Sequence, residues 1–178
     1  MKSWYDKLMV FRPLGLEKFD EQVIKLIELD PEEMLSIVFS YEDDEEGESQ
    51  ERVNVLGFSE HMHRKDINLL HLACQEDLVE TAELILSKDP KQVHFKSASG
   101  WTPLMTACEA GNLKLIDICL SLGDDPASQL TYACKTGSAI HATITGQKPE
   151  KTLTHLIEQI DDIGVEEGDP ELLETLIN

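Results

Sequence analysis

Apolar residues recur at helical spacing along most of this chain, in short blocks separated by polar and turn-forming residues. Within residues 16–28 they fall at intervals of three and four, which predicts an amphipathic helix: Leu16, Phe19, Val23, Ile24 and Ile27. Asp30-Pro31 predicts the start of a second helix, because Asp caps a helix and Pro fits its first turn. That segment is apolar on most sides up to Tyr41, so we expect a buried helix.

Three Ala-Cys pairs form the most informative pattern: Ala73-Cys74, Ala107-Cys108 and Ala133-Cys134. They lie 34 and then 26 residues apart, in similar apolar contexts. Such a period predicts stacked helical units that share one core. We therefore expect the three thiols at equivalent inward positions, about one repeat apart and too distant from each other for a disulfide.

The middle unit, residues 100–123, resembles the ankyrin repeat almost position by position. It begins Gly100-Trp101-Thr102-Pro103-Leu104, where the family pattern reads Gly-x-Thr-Pro-Leu. Gly111 lies at the turn between two predicted helices, and Gly123 ends the second helix. The resemblance implies an all-α ankyrin-repeat solenoid, with helical caps at both ends of the stack.

The flanking units match this pattern less well. Residues 66–89 form a second clear repeat, although Asp77 stands where glycine is expected. Residues 128–160 form a degenerate third repeat that is shortened before its first helix. We expect its finger, the hairpin that precedes each helix pair, to be deleted. A loop-like insert at 138–150 is then expected before a helix at 151–160.

The chain is expected to divide into four regions. They are an N-terminal helical cap at 1–41, an acidic disordered loop at 42–60, repeats at 61–162 (61–96, 97–127 and 128–162), and an acidic C-terminal cap or tail at 163–178. In the tail, Asp169-Pro170 repeats the helix-start signal ahead of a short apolar stripe.

Charge modifies this picture, because the formal net charge is −20. The balance is −10 over residues 1–51 and −8 over 152–178, which leaves −2 for the body of the chain. Binding to nucleic acid or to an anionic membrane is not expected, since both need basic surfaces. A partner protein with a basic surface is plausible because complementary charge speeds encounter. The alternative is that the charge only keeps the chain in solution.

Candidate chemistry is sparse. The four cysteines contain no Cys-x-x-Cys, and His61-x-His63 lacks a third ligand at a suitable spacing. We predict no catalytic residue, no metal site and no cofactor. No apolar run is long enough to span a membrane, and residues 1–6 do not resemble a secretory signal. A monomer in a reducing, cytoplasmic compartment is therefore expected.

The resemblance implies that a partner protein meets the fingertips and the exposed face of each first helix. Trp101 is the expected anchor, because exposed Trp often dominates binding energy. The alternative is that Trp101 packs on the neighbouring finger. The positions carried over from the family, together with Ile140 of the insert, are Arg64, Lys65, Ile67, Gln75, Glu76, Ser99, Trp101, Glu109, Lys135 and Ile140.

The predicted function is non-enzymatic protein binding, as an adaptor, scaffold or inhibitor. Three alternatives stay open. One is an acidic decoy that occupies the site of a basic protein. Another is a secreted bacterial effector, because the glutamate-rich carboxy terminus resembles the signals of type IV secretion substrates. The third is an enzyme or metal protein that uses the His and Cys residues.

Overall fold

The computed structural model describes Leu8, residues 10–39 and residues 66–163. The helices are α1 (Leu16–Leu29), α2 (Pro31–Ser36), α3 (Leu69–Glu76), α4 (Val79–Lys88), α5 (Pro103–Ala110), α6 (Leu113–Leu122), α7 (Pro126–Thr131), α8 (Ala139–Thr145) and α9 (Pro149–Ile163). Two antiparallel pairs of short strands join β1 (Val38–Phe39) to β2 (Ile67–Asn68) and β3 (Ala133–Cys134) to β4 (Gly137–Ser138). Turns of 3₁₀ helix span Arg12–Leu14 and Pro90–His94.

Three helical hairpins stack within the described residues: repeat 1 (α3 and α4), repeat 2 (α5 and α6) and repeat 3 (α8 and α9). Their first helices form an A layer, in which α3 packs on α5 and α5 on α8. Their second helices belong to a B layer, in which α4 packs on α6 and α1 packs on α4. The short helix α7 contacts both α6 and α9. The predicted all-α solenoid is confirmed.

Side-chain caps and left-handed turns define the ends of the A helices. Asn68 Oδ1 accepts from the His71 N–H at 3.0 Å, and Thr102 Oγ1 accepts from the Met105 N–H at 3.4 Å. α3 ends at Asp77 with φ 63°, and α5 ends at Gly111 with φ 66°. Asp tolerates the left-handed region better than most residues, so the turn of repeat 1 forms without the glycine of the family pattern.

The helix α4 receives its cap from another helix. The apolar side chain of Leu78, at the N-cap position of α4, cannot accept a hydrogen bond. Instead Asp20 of α1 accepts from the backbone N–H groups of Glu80 at 3.1 Å and Thr81 at 2.9 Å, and from the Thr81 hydroxyl. A buried carboxylate therefore satisfies the N–H groups of α4 and joins α1 to the stack.

A short turn opened by Asp-Pro follows a helix of the B layer at three places: Asp30-Pro31, Asp89-Pro90 and Asp125-Pro126. Each Asp carboxylate accepts from a backbone N–H two or three residues later. In all three turns the fourth residue after Asp is buried: it is Met34 in the first, Val93 in the second and Gln129 in the third. The Asp-Pro turn is thus part of the repeating unit and leads the chain towards the next finger.

The prediction for the finger of repeat 3 was wrong. Ala133–Cys134 is not part of an inward helix but a strand that pairs with Gly137–Ser138. The reason is the Asp125-Pro126 signal, which starts α7, a helix that ends before Tyr132 adopts extended backbone. Cys134 is consequently half-buried in a finger, and only three of the four thiols lie in the dry core.

The expected insert at 138–150 is also corrected. Most of it is the A helix of repeat 3, α8, preceded by Ser138 at the N-cap position. Ser138 occupies the place of Thr102 in repeat 2 and Asn68 in repeat 1, and His141 occupies the place of His71. The predicted helix at 151–160 is confirmed, because it lies within α9.

The first finger is built from residues far apart in sequence. Val38–Phe39 pairs with Ile67–Asn68, so the predicted helix from Pro31 to Tyr41 stops at Ser36 and gives way to a strand. Residues 40–65 lie outside the described residues, and they include the acidic segment that was expected to be disordered.

The three core thiols, those of Cys74, Cys108 and Cys119, lie in the dry interior of the stack. Cys74 and Cys119 place their Sγ atoms 4.0 Å apart, although they occupy non-equivalent helix positions. Burial raises the pKa of Cys108 to about 12, and the hydrogen bond with the Cys119 thiol, together with burial, raises the pKa of Cys74. These cysteines therefore behave as small apolar core residues, as predicted.

Candidate partner-binding groove

A row of half-buried side chains crosses the A layer near the ends of its helices. Counting seven residues from the N-caps Asn68, Thr102 and Ser138 gives Gln75, Glu109 and Thr145, which we call the A row. B helices cover the opposite side of the A layer. The A row therefore lies on the open side of the stack, together with the fingers that precede α5 and α8.

The finger of repeat 2 is a tight turn closed by two backbone hydrogen bonds. Ser97 donates its N–H to Trp101 O at 2.9 Å, and the Gly100 N–H donates to Ser97 O at 2.9 Å. Gly100 has φ 87°, a conformation that glycine adopts without strain. Ala98 is exposed at the tip and Ser99 is half-buried beside it.

The finger of repeat 3 packs directly against that of repeat 2. Trp101 Nε1 donates to Thr136 Oγ1 at 2.7 Å, and the Tyr132 hydroxyl donates to Gly100 O at 3.1 Å. Lys96 Nζ lies 4.1 Å from the centre of the Tyr132 ring. The two fingers thus form one continuous edge of the groove, on which Lys135 is exposed.

The expectation that Trp101 is an exposed anchor was wrong. Its side chain is only 3% exposed, because the finger of repeat 3, expected to be deleted, covers it. Ile67 was also expected at the surface, and it is buried in the first finger opposite Phe39. Both residues shape the fingers from inside.

Glu76 is buried as well, which corrects its expected exposure. Its Oε2 lies 2.8 Å from Arg12 Nε, and its Oε1 accepts from Gln75 Nε2 at 2.9 Å. Both carboxylate oxygens are therefore engaged within the chain. Arg12 comes from the segment before α1, so this ion pair fastens that segment to the end of α3.

The remaining expected positions differ in accessibility. Gln75, Ser99 and Glu109 are half-buried on the groove side, and Lys135 is exposed there. Ile140, in the last of the three repeats, is half-buried, whereas its counterparts Leu70 and Leu104 are fully buried. Arg64 and Lys65 lie outside the described residues.

Thr145 completes the A row and was missed from the sequence. The sequence comparison matched Ala133-Cys134 to the A helices of the other repeats, whereas in the structure this pair lies in the finger that precedes the A helix of repeat 3. The signal that identifies the correct register is Gly137-Ser138-Ala139-Ile140-His141, which parallels the Gly-x-Thr-Pro-Leu-His start of an ankyrin repeat with one residue fewer.

His71 links helix α3 of repeat 1 to the finger of repeat 2. Its Nε2 lies 3.0 Å from the backbone oxygen of Trp101, and its Nδ1 lies 2.6 Å from Asn68 Oδ1. Burial lowers the pKa of His71 to about 4, so the ring is neutral at pH 7. The ring thereby fixes the spacing between α3 and the next finger.

The connection between α8 and α9 is held on the end of α5. The Gln147 N–H donates to Glu109 O at 2.9 Å, and Lys148 Nζ donates to Gly111 O at 3.5 Å. Gly146 passes so close that an added Cβ would lie 2.5 Å from Glu109 O. The backbone at Glu109, the middle residue of the A row, is therefore held by its own helix in repeat 2 and by the α8–α9 connection of repeat 3.

No metal-binding group of three His, Cys, Asp or Glu side chains occurs in the described part of the chain. Among the helices of that same part, none is long and apolar enough to cross a membrane. The arrangement offers hydrogen-bonding and charged side chains on a constrained surface, which suits recognition of another macromolecule.

A family model described as ankyrin repeats (3 copies) matches residues 47–129 and, overlapping them, residues 70–166. The two matches together cover 47–166, more than half of the chain. The chain belongs to the ankyrin-repeat family. Ankyrin repeats act as protein–protein interaction modules, and a protein partner follows from that membership. No curated protein and no solved structure matches the chain.

Proposed function

We propose that this ankyrin-repeat protein holds a partner protein in the groove between the A row and the fingers of repeats 2 and 3. The single observation that carries the proposal is the A row itself. Gln75, Glu109 and Thr145 occupy the same helical position in three successive repeats, and each of them stays partly open to solvent.

The groove is suited to a folded partner because it is held rigid. The Trp101–Thr136 hydrogen bond and the Tyr132–Gly100 hydrogen bond fix the fingers, and the His71–Trp101 contact fixes their distance from the helices. A pre-organised surface loses little conformational freedom on binding, which favours affinity.

The charge of the groove does not follow the acidity of the whole chain. Glu109 and Lys135 carry opposite charges, whereas Gln75, Ser99 and Thr145 are neutral. Recognition at this site therefore depends on shape and on local hydrogen bonds more than on the net charge of −20. The role as adaptor, scaffold or inhibitor and the cytoplasmic location stay predictions, as do the effector and decoy alternatives.

Affinity capture from native cells tests the proposal when two matched double variants are compared. Gln75→Arg with Glu109→Lys adds long cationic side chains to the A row. Gln22→Arg with Glu28→Lys makes the same chemical changes on α1, far from the groove. We expect the groove variant to lose the proteins retained by the wild type, by about tenfold or more, and the α1 variant to retain them.

Circular dichroism of both variants shows whether the fold is kept. Equal retention by the groove variant and the wild type would refute the proposal. Loss with the α1 variant alone would place the binding site on the B layer instead.

A further inference from the structure

The end of the stack beyond repeat 3 exposes apolar side chains that the earlier repeats bury. Ile144 is 58% exposed, yet its counterparts six residues after the N-cap, Cys74 and Cys108, are at most 1% exposed. Ile140 is half-buried, yet its counterparts Leu70 and Leu104 are fully buried. At the position of Ile144 the following repeat supplies the cover in repeats 1 and 2. The Cys74 thiol lies 4.0 Å from that of Cys119 in repeat 2, and the Cys108 thiol contacts Thr143 of repeat 3.

The B helix of repeat 3 carries a matching change. The first backbone hydrogen bond of the B helix is accepted by Leu78 in repeat 1, by Asn112 in repeat 2 and by Lys148 in repeat 3. These three residues are therefore equivalent, and positions in the three helices can be counted from them. Five residues later stand Glu83, Asp117 and Leu153. Glu83 lies 3.8 Å from Lys114, and Asp117 lies 2.6 Å from His155, so this position faces the next repeat.

One helical turn further along the same face, the exposed residues are Ser87, Ser121 and Ile157. Repeat 3 thus has Leu and Ile where repeats 1 and 2 have acidic residues and serines. Ile157 is 51% exposed. We call Ile140, Ile144, Leu153 and Ile157 the end face. An apolar surface of this kind, at the place where a solenoid would continue, needs a cover.

The chain supplies a segment with the right pattern. Residues 164–178, which lie outside the described residues, follow the end of α9 at Ile163 and include Asp169-Pro170. This is the dipeptide that follows three earlier helices of the B layer. Four residues after Asp, where Met34 and Val93 are buried, the sequence has Leu173. Leu172, Leu176 and Ile177 complete an apolar stripe at helical spacing.

We propose that residues 169–177 bind the end face and close the stack, with Leu173 in the position that Met34 and Val93 hold in the earlier turns. The five residues from 164 to 168 can span up to about 17 Å, enough to cross a pair of packed helices. The occupant is therefore the chain's own carboxy-terminal segment.

Charge opposes this contact without preventing it. The segment 164–178 has five acidic residues and no Lys or Arg, and α9 exposes Glu158 and Asp161. Exposed charges are screened over about 8 Å at physiological ionic strength, whereas apolar burial is not screened. Added salt should accordingly strengthen the contact, which is the opposite of what a basic partner at this face would show.

Two double variants of the full chain test the proposal with no partner present. Leu173→Asp with Leu176→Asp places two charges in the apolar stripe. Thr175→Asp with Asn178→Asp adds the same two charges to the same segment, outside the stripe. We expect the first variant to lower Tm by about 5 °C and to speed amide exchange in α8 and α9. The second should match the wild type in both.

A face variant, Ile144→Asp with Ile157→Asp, should show the same loss, and combining it with the Leu173/Leu176 variant should add little further loss. Equal Tm and exchange in the two segment variants would overturn the proposal. Light scattering that shows a dimer unaffected by Leu173→Asp with Leu176→Asp would assign the end face to a second copy of the chain and would overturn it as well.

Discussion

The His71 ring ties two repeats together at the scale of one side chain. It is buried, its Nε2 faces the backbone oxygen of Trp101, and its pKa is lowered to about 4 because burial disfavours the imidazolium. The sequence could predict this residue, since the family pattern places His at that helix position. For Trp101 the sequence left exposure and packing on a neighbouring finger both open, and the finger that buries it, that of repeat 3, was expected to be deleted.

The depressed pKa of His71 makes stability depend on pH in a defined direction. An unfolded chain binds a proton at His71 below about pH 6.5, while the folded chain does not do so until about pH 4. Stability should therefore fall as pH drops through this window. By pH 5 we expect a loss of about 2 kcal/mol from this residue relative to pH 7.5.

The variant His71→Gln removes the titration and keeps a side chain that can form hydrogen bonds. Urea unfolding at pH 7.5 and pH 5 measures the difference for both proteins. The wild type should lose more stability between the two pH values than the variant. Parallel losses would show that His71 is not held neutral in the folded state.

At the scale of the helices, the caps explain where each element starts and how the elements are joined. The sequence predicts α1, the beginning of α2 and the helices of repeats 1 and 2, because apolar periodicity and Asp-Pro or Thr-Pro signals agree there. It does not predict that Asp20 caps α4. That contact joins residues about sixty positions apart, and nothing in the local pattern of α4 shows where its cap comes from.

Removing that cap should destabilise the stack at its N-terminal side. Asp20→Ala leaves the N–H groups of Glu80 and Thr81 without an acceptor in a nearly dry position. We expect a loss of about 2 kcal/mol in the free energy of unfolding. Glu21→Ala is the control, because Glu21 lies exposed on α1, where it pairs with Lys25. Similar small losses in the two variants would contradict this role of Asp20.

At the scale of the whole molecule, the chain is a short solenoid with one open side and one apolar end. The repeats themselves could be predicted, but the register of repeat 3 could not. Ala73-Cys74 and Ala107-Cys108 occupy equivalent positions in two A helices, whereas Ala133-Cys134 has the same two residues in a finger strand. That misalignment is why Thr145 was missed, and why a finger was expected to be deleted where the structure has the β3–β4 pair.

Hydrogen exchange of the protein, free and bound to the partner recovered by affinity capture, shows which face of the stack the partner covers. A partner in the groove should slow amide exchange in residues 97–111 and 133–146 and leave residues 16–29 and 79–88 unchanged. Protection confined to 16–29 and 79–88, with none along the fingers and the A row, would contradict the account.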